Sequence, residues 1–255
     1  MLSLQNLSTN AKHSLYGTSA FNMAGEAIMS FAPINAIHQH LCAFHYYAHD
    51  RTRQIEAHHF CHHWSKDLHQ CVIYDSDEPN ARLIGIEYII SENLFKTLDE
   101  QEKRYWHSHK YEVCVSINVT GKPMLTKTLQ KPDVVNDMAE QPAMLELQTT
   151  YGKTVHTWQP DIHPDIPLGS PNLMMSFTAP TPTSPSGINP SQLQARDAKL
   201  GISTDAKREL RAGYLPNYGV SVDGEGEGVE VEGCDEGERR GSCLQFVAEE
   251  RAVKT

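Results

Sequence analysis

The sequence predicts an α+β fold, a single domain with an antiparallel or mixed sheet flanked by helices, plus disordered termini. Short β-prone runs recur across the middle of the chain, of which Arg82-Leu83-Ile84-Gly85-Ile86-Glu87-Tyr88-Ile89-Ile90 is the clearest. Helical patterns lie between them without the regular strand–helix–strand rhythm that builds a parallel sheet. Neither end of the chain sustains an apolar period, and the last stretch interleaves acids with glycine, a composition that buries too little to fold by itself.

Residues 1–30 read as a flexible arm with a weakly apolar patch, in which Phe21, Met23, Ile28 and Met29 could lie along a lipid surface. From Pro33, the spacing of Ile34, Ile37, Leu41, Phe44 and Ala48 predicts a helix burying one face. Gln54 to His63 reads as a strand, with Glu56, His58 and Phe60 facing one way and Ala57, His59 and Cys61 the other. Cys71 to Tyr74 is a second strand and Arg82 to Ile90 a third. The third is so apolar that both its faces should be covered, which makes Glu87 conspicuous.

Ser91 to Leu98 and Asp99 to Trp106 predict two short helices, the second opening on acids that suit the helix dipole. His107 to Val119 reads as a returning strand, 133–149 as an amphipathic helix broken or kinked at Pro142, and Tyr151 to Gln159 as another strand. A Pro-rich stretch after Phe177 leads to a short helix from about Thr204 to Ala212, capped by Ser203 or Thr204. The domain reading is thus an arm over 1–30, a histidine-rich core over 31–178, and a Pro-rich arm with a short helix packed on that core over 179–218. An acidic, Gly-rich disordered tail over 219–255 completes it.

A net charge of −10 argues against sequence-independent nucleic-acid binding, which needs a basic surface. No run is apolar enough to span a bilayer, and the six cysteines form no CxxC pair. The expectation is a cytoplasmic protein with reduced thiols, no transmembrane span and no nucleotide cofactor.

Nine of the fourteen histidines fall between His38 and His69, and a second knot is Trp106-His107-Ser108-His109. Imidazole is the commonest metal ligand, and residues two apart on a strand share a side, so His107 and His109 could chelate one ion. A bound ion would also offset the cost of burying Glu87. The expected metal ligands are His107 and His109 with His58 or His59 and Glu87, and His156 in reserve, holding a divalent transition metal such as zinc, iron or manganese. His62, His63 and His69 read as solvated loop residues, and Cys42 and Cys61 as buried thiols. A cupin is rejected, because Glu112 follows His109 too closely and Gln101 stands where that pattern needs glycine.

Several stretches together resemble the oil-body-associated protein family. They include His38-Gln39-His40-Leu41-Cys42-Ala43-Phe44-His45, Glu56-Ala57-His58-His59-Phe60-Cys61, Leu83-Ile84-Gly85-Ile86-Glu87-Tyr88 and Trp106-His107-Ser108-His109-Lys110-Tyr111-Glu112-Val113. Tyr151-Gly152-Lys153, Thr157-Trp158-Gln159 and Pro167-Leu168-Gly169 extend the likeness, which covers roughly residues 33–218. The resemblance implies association with lipid droplets and a role in their stability, and no catalytic mechanism; the lack of a spanning run and the negative charge make that association peripheral. The alternative reading, carried by the histidines and Glu87, is a soluble metal-dependent enzyme, a hydrolase or an oxygenase.

Overall fold

The computed structural model describes residues 8–114, 119–120, 132–178, 187–216 and 243–251. The chain divides into two units, Met1–His38 and Gln39–Thr255. In the first, where the sequence shows no sustained helical period, local capping makes helices all the same. Ser8 caps α1 (Thr9–Leu15) by accepting from the Ala11 N–H, and Thr18 caps α2 (Ser19–Ile28) by accepting from the Phe21 N–H. Phe21, Met23 and Ile28 of α2 are exposed. A single turn, α3 (Ala32–Asn35), follows.

The second unit is built on strands β1 (Gln39–Tyr47), β2 (Asp50–Ser65), β3 (Leu68–Tyr74), β4 (Leu83–Ser91), β5 (His107–Ser108), β6 (Val119–Thr120), β7 (Thr150–His156) and β8 (Asn172–Met175). All their pairings are antiparallel, and six strands close on themselves in the order β1-β2-β3-β4-β7-β8 and back to β1. The expected sheet is therefore a barrel, which leaves no free edge among these six. β5 adds to β7 and β6 to β1. The remaining helices are α4 (Glu92–Lys96), α5 (Glu100–Lys103), α6 (Lys110–Cys114), α7 (Pro132–Leu147), α8 (Pro190–Leu200) and α9 (Thr204–Ala212).

Four expectations are corrected. The helix drawn from Pro33 to Ala48 is the strand β1: both of its faces are buried, so apolar residues occur at every spacing and the three-and-four pattern carries no information. The strand drawn from His107 to Val119 is regular only at His107–Ser108, after which the Ser108 hydroxyl accepts from the Lys110 N–H at 3.2 Å and the chain turns into α6; residues 115–118 lie outside the described residues. β4 is covered on one face only, since Leu83, Ile86 and Tyr88 are exposed while Ile84, Glu87 and Ile89 point inward. Finally, Cys61 and Cys71, directly opposite across β2 and β3, form a disulfide instead of standing as reduced thiols. Pro142 lies inside α7, which continues past it.

Two apolar layers cap the barrel interior. One joins Leu41, Ile89 and the Cys61–Cys71 bridge to Val113 of α6 and to Met144 and Leu147 of α7; the other is Tyr47, Ile55, Ala57, Ile73, Ile84 and Met174. Along β2, His59 falls between Ala57 of one layer and Cys61 of the other. Along β4, Glu87 falls between Ile84 and Ile89. A polar layer is thus enclosed between apolar ones, where water cannot help satisfy it.

The last helix, α9, is fixed by buried charged side chains. Glu140 of α7 accepts from Lys207 at 2.8 Å and from Arg211, and Arg211 also donates to the Val113 carbonyl at 2.8 Å. The acidic residues 219–242 lie outside the described residues, whereas Leu244 packs against the cluster of Phe44, Tyr46 and Phe177.

Candidate metal centre

Register brings the polar layer together. Cys71 pairs with Glu87 and Glu87 with Thr154, so Glu87 and Thr154 share the inner face, and the Thr154 hydroxyl donates to Glu87 Oε1 at 2.8 Å. Around that carboxylate stand three imidazoles: His59 Nε2 is 2.9 Å from Oε2, and His107 Nε2 and His109 Nε2 are 3.3 and 3.4 Å from Oε1. All four side chains are at most 4% exposed. His45 extends the group, its Nε2 lying 3.2 Å from His59 Nε2 and its Nδ1 3.1 Å from His156 Nε2.

The hydrogen-bond arithmetic of His109 is informative. Thr150 Oγ1 has one proton, and it is given to the Leu147 carbonyl at 2.7 Å. His109 Nδ1 lies 2.9 Å from that same oxygen and must therefore donate to it. A neutral His109 then has no proton on Nε2, so a bare lone pair faces Glu87 Oε1. Two acceptors face to face repel unless a cation lies between them. His107 makes a related point, because both its ring nitrogens are buried and neither has a hydrogen-bond partner; at 3.3 Å its contact with Glu87 lacks hydrogen-bond geometry.

Spacing and space agree with this. Donor atoms about a tetrahedral ion at roughly 2.0–2.1 Å stand about 3.3–3.4 Å apart, which matches the two contacts on Oε1. Gly152 of β7 leaves room over the group: a Cβ there would lie 2.1 Å from Glu87 Oε1 and 2.8 Å from Nε2 of both His107 and His109.

Burial works to raise the Glu87 carboxyl, yet the neighbouring His59 and the contacts from His107 and His109 outweigh it and hold the group well below the ordinary carboxylate range. Burial lowers the His107 imidazole against the pull of Glu87. Burial and the neighbouring His59 likewise lower His45 and take His156 down to about 3. Glu112 of α6, buried nearby, is pushed well above its usual value by desolvation, with the neighbouring Ser176 hydroxyl opposing the shift and the Glu87 charge adding to it. The depressed rings of His45, His107 and His156 are thus neutral near pH 7, the form that can ligate a metal.

Of the residues expected from sequence, His59, Glu87, His107 and His109 lie together and His156 stands one imidazole further out. His58 points to the opposite face of β2, where its Nε2 meets Glu56 Oε1 at 2.8 Å. His45 was missed because its segment reads as a helix; on a strand, Leu41, Ala43 and His45 alternate on the face that meets His59 across β1 and β2. His69 is buried rather than solvated, stacked on His63 with ring centroids 3.8 Å apart.

Comparison with known proteins agrees with the resemblance read from the motifs. Residues 31–214 match the family described as a protein of unknown function, DUF1264. The chain is 41% identical to oil body-associated protein 1B of Arabidopsis thaliana, over 85% of this chain and 84% of that protein. It is 38% identical to oil body-associated protein 1A of Zea mays, over 90% of this chain and 91% of that one, and 40% identical to Arabidopsis oil body-associated protein 2A, over 75% and 72%. No solved structure matches. With matches of this extent, the chain belongs to the oil body-associated protein family, DUF1264.

Proposed function

We propose that this protein is a peripheral lipid-droplet protein that supports droplet stability, and that its barrel encloses a closed divalent-metal centre held by His59, Glu87, His107 and His109, with His45 and His156 behind them. The observation that carries the metal reading is the convergence of His59, His107 and His109 Nε2 on the buried Glu87 carboxylate, at 2.9, 3.3 and 3.4 Å, with His109 Nδ1 already committed to Thr150. Zinc, iron and manganese all suit imidazole with carboxylate. The ion would supply positive charge beside the buried Glu87 carboxylate, and with it a cross-link among β2, β4, β5 and the turn into α6. The burial of every donor favours a structural centre over a hydrolase or oxygenase, which needs a coordination position open to substrate.

The droplet reading rests on the relatives' names, and it is peripheral because no helix among the described residues is long and apolar enough to cross a membrane. The test is metal analysis of full-length protein purified without chelator. Wild type is expected to carry a first-row ion that the double change His107→Ala, His109→Ala removes. Metal-free protein whose melting temperature ignores added zinc, iron or manganese would refute the centre. Carbonate washing should release the protein from isolated droplets, and retention would refute peripheral attachment.

A further inference from the structure

A second constellation lies on the other face of the same two strands. Cys42 of β1 pairs directly with His58 of β2, and Glu56 stands two residues before His58 on that face. Cys42 Sγ is 4.0 Å from His58 Nε2 and 3.9 Å from Glu56 Oε1, while His58 Nε2 and Glu56 Oε1 are 2.8 Å apart. The three donor atoms therefore converge on one point. Cys42 and His58 are fully buried, whereas the Glu56 side chain is 26% exposed and gives the group a mouth to solvent.

The surroundings are arranged as those of a ligand set are. The other ring nitrogen of His58, Nδ1, lies 3.0 Å from His40 Nε2, and the His40 ring is itself fixed by stacking on Phe60 at 4.3 Å between centroids. Such an outer partner orients an imidazole and sets which nitrogen is free. Asp77 lies beyond, joined to Lys199 of α8 at 2.9 Å, and Lys199 reaches Glu56 at 3.8 Å. Lys199 thus compensates Asp77 first and Glu56 only weakly.

We propose that Cys42, Glu56 and His58 form a second metal site, separate from the interior centre and selective for a thiolate-seeking ion, Zn²⁺ or Cu⁺. The thiol is what distinguishes it: a sulfur, imidazole and carboxylate set prefers softer ions than the all-histidine and carboxylate layer inside the barrel. To bring sulfur to about 2.3 Å and nitrogen to about 2.0–2.1 Å from a shared ion, the two sulfur contacts contract and the His58–Glu56 contact opens, each by about half an ångström or less. Binding displaces the Cys42 proton to solvent through the Glu56 side.

Cobalt(II) is the probe, titrated into metal-free, full-length protein. The donors of the interior layer include no sulfur, so a thiolate-to-cobalt charge-transfer band separates this site from that one. The titration is run in a background carrying Cys114→Ser, Cys234→Ser and Cys243→Ser, so that Cys42 is the thiolate left to give the band. The expected result is a saturable band in this background that disappears on adding Cys42→Ser and persists on adding the His107→Ala, His109→Ala double change. No band in the background, or a band surviving Cys42→Ser, overturns the site. Should Cys42→Ser fail to fold, Glu56→Gln serves instead: it keeps the sulfur and the band but is expected to bind cobalt at least tenfold more weakly, and unchanged affinity overturns the proposal. Loss of cobalt from the double variant measures the interior centre separately, so the two can fail independently.

Discussion

His109 Nδ1 donates to Thr150 Oγ1 at 2.9 Å, and Thr150 in turn donates to the Leu147 carbonyl at 2.7 Å. This relay from the end of α7 fixes one tautomer of an imidazole on another element. Thr150→Val keeps the shape of the side chain and removes the relay, so His109 is free to carry its proton on Nε2 and bond to Glu87. Metal affinity should fall by roughly 10–100-fold, as for other losses of an outer partner, with the far-ultraviolet circular dichroism unchanged. Competition with a chromophoric chelator measures it.

Gly152→Ala should be among the most damaging small changes in the chain. Its Cβ would meet the Glu87 carboxylate at 2.1 Å, and the group it meets is short, buried and hemmed in by histidines. We expect a loss of about 1–3 kcal/mol from overpacking together with loss of metal, read by chemical denaturation and by metal content. Gly201→Ala meets nothing within 4 Å, although its φ of +68° strains any side chain, and it should leave metal content intact.

Stability of the metal-free protein should fall as the pH drops below about 6.5, the ordinary histidine value. The sign follows from the depressed imidazoles. Unfolded, His45, His107 and His156 take up protons near that pH; folded, they resist, His156 down to about 3. For these three groups the unfolded state therefore binds more protons throughout this window, each removing up to about 1.4 kcal/mol per pH unit, while Glu112, whose carboxyl is raised in the fold, opposes them as a single group. Glu87, held low, adds a further loss only below the ordinary carboxylate range, as the pH falls toward its folded value. Urea midpoints at pH 7.5 and 5.5 test this, and equal midpoints would contradict it.

Reduction should destabilise the barrel. The Cys61–Cys71 bridge closes the β2–β3 hairpin over a sequence separation of 10 residues, a loop short enough that the chain-entropy gain is about 2–3 kcal/mol. Thermal melts with and without reductant, and with Cys71→Ser, should agree with each other and lie below oxidised wild type. Peptide mapping under non-reducing conditions should recover the linked pair.

Much of this protein is legible in its sequence. Residues 71–74, 82–90 and 151–159 announce themselves as strands through β-branched and aromatic content, 54–63 reads as a strand because it is too short for a helix, and Ser91 and Asp99 mark their helix starts, because these signals are local. The alternation within β2 also separates His58 from His59 correctly, since a period of two needs only the backbone. Glu87 stands out for the same reason: a charge in an apolar run demands a partner wherever the run folds.

Tertiary structure decided the rest. Whether β1 is a helix or a strand depends on its burial on both faces, which no periodicity records, and with that choice His45 either leaves the polar layer or joins it. Which face of β2 turns inward follows from closure of the barrel, which sends His59 to Glu87 and His58 to Cys42. His107 and His109 meet not because one strand carries both but because the chain turns at Ser108 and Thr150 holds the second ring in place. A sequence names the groups whose burial must be compensated; only long-range pairing determines which of them compensate one another.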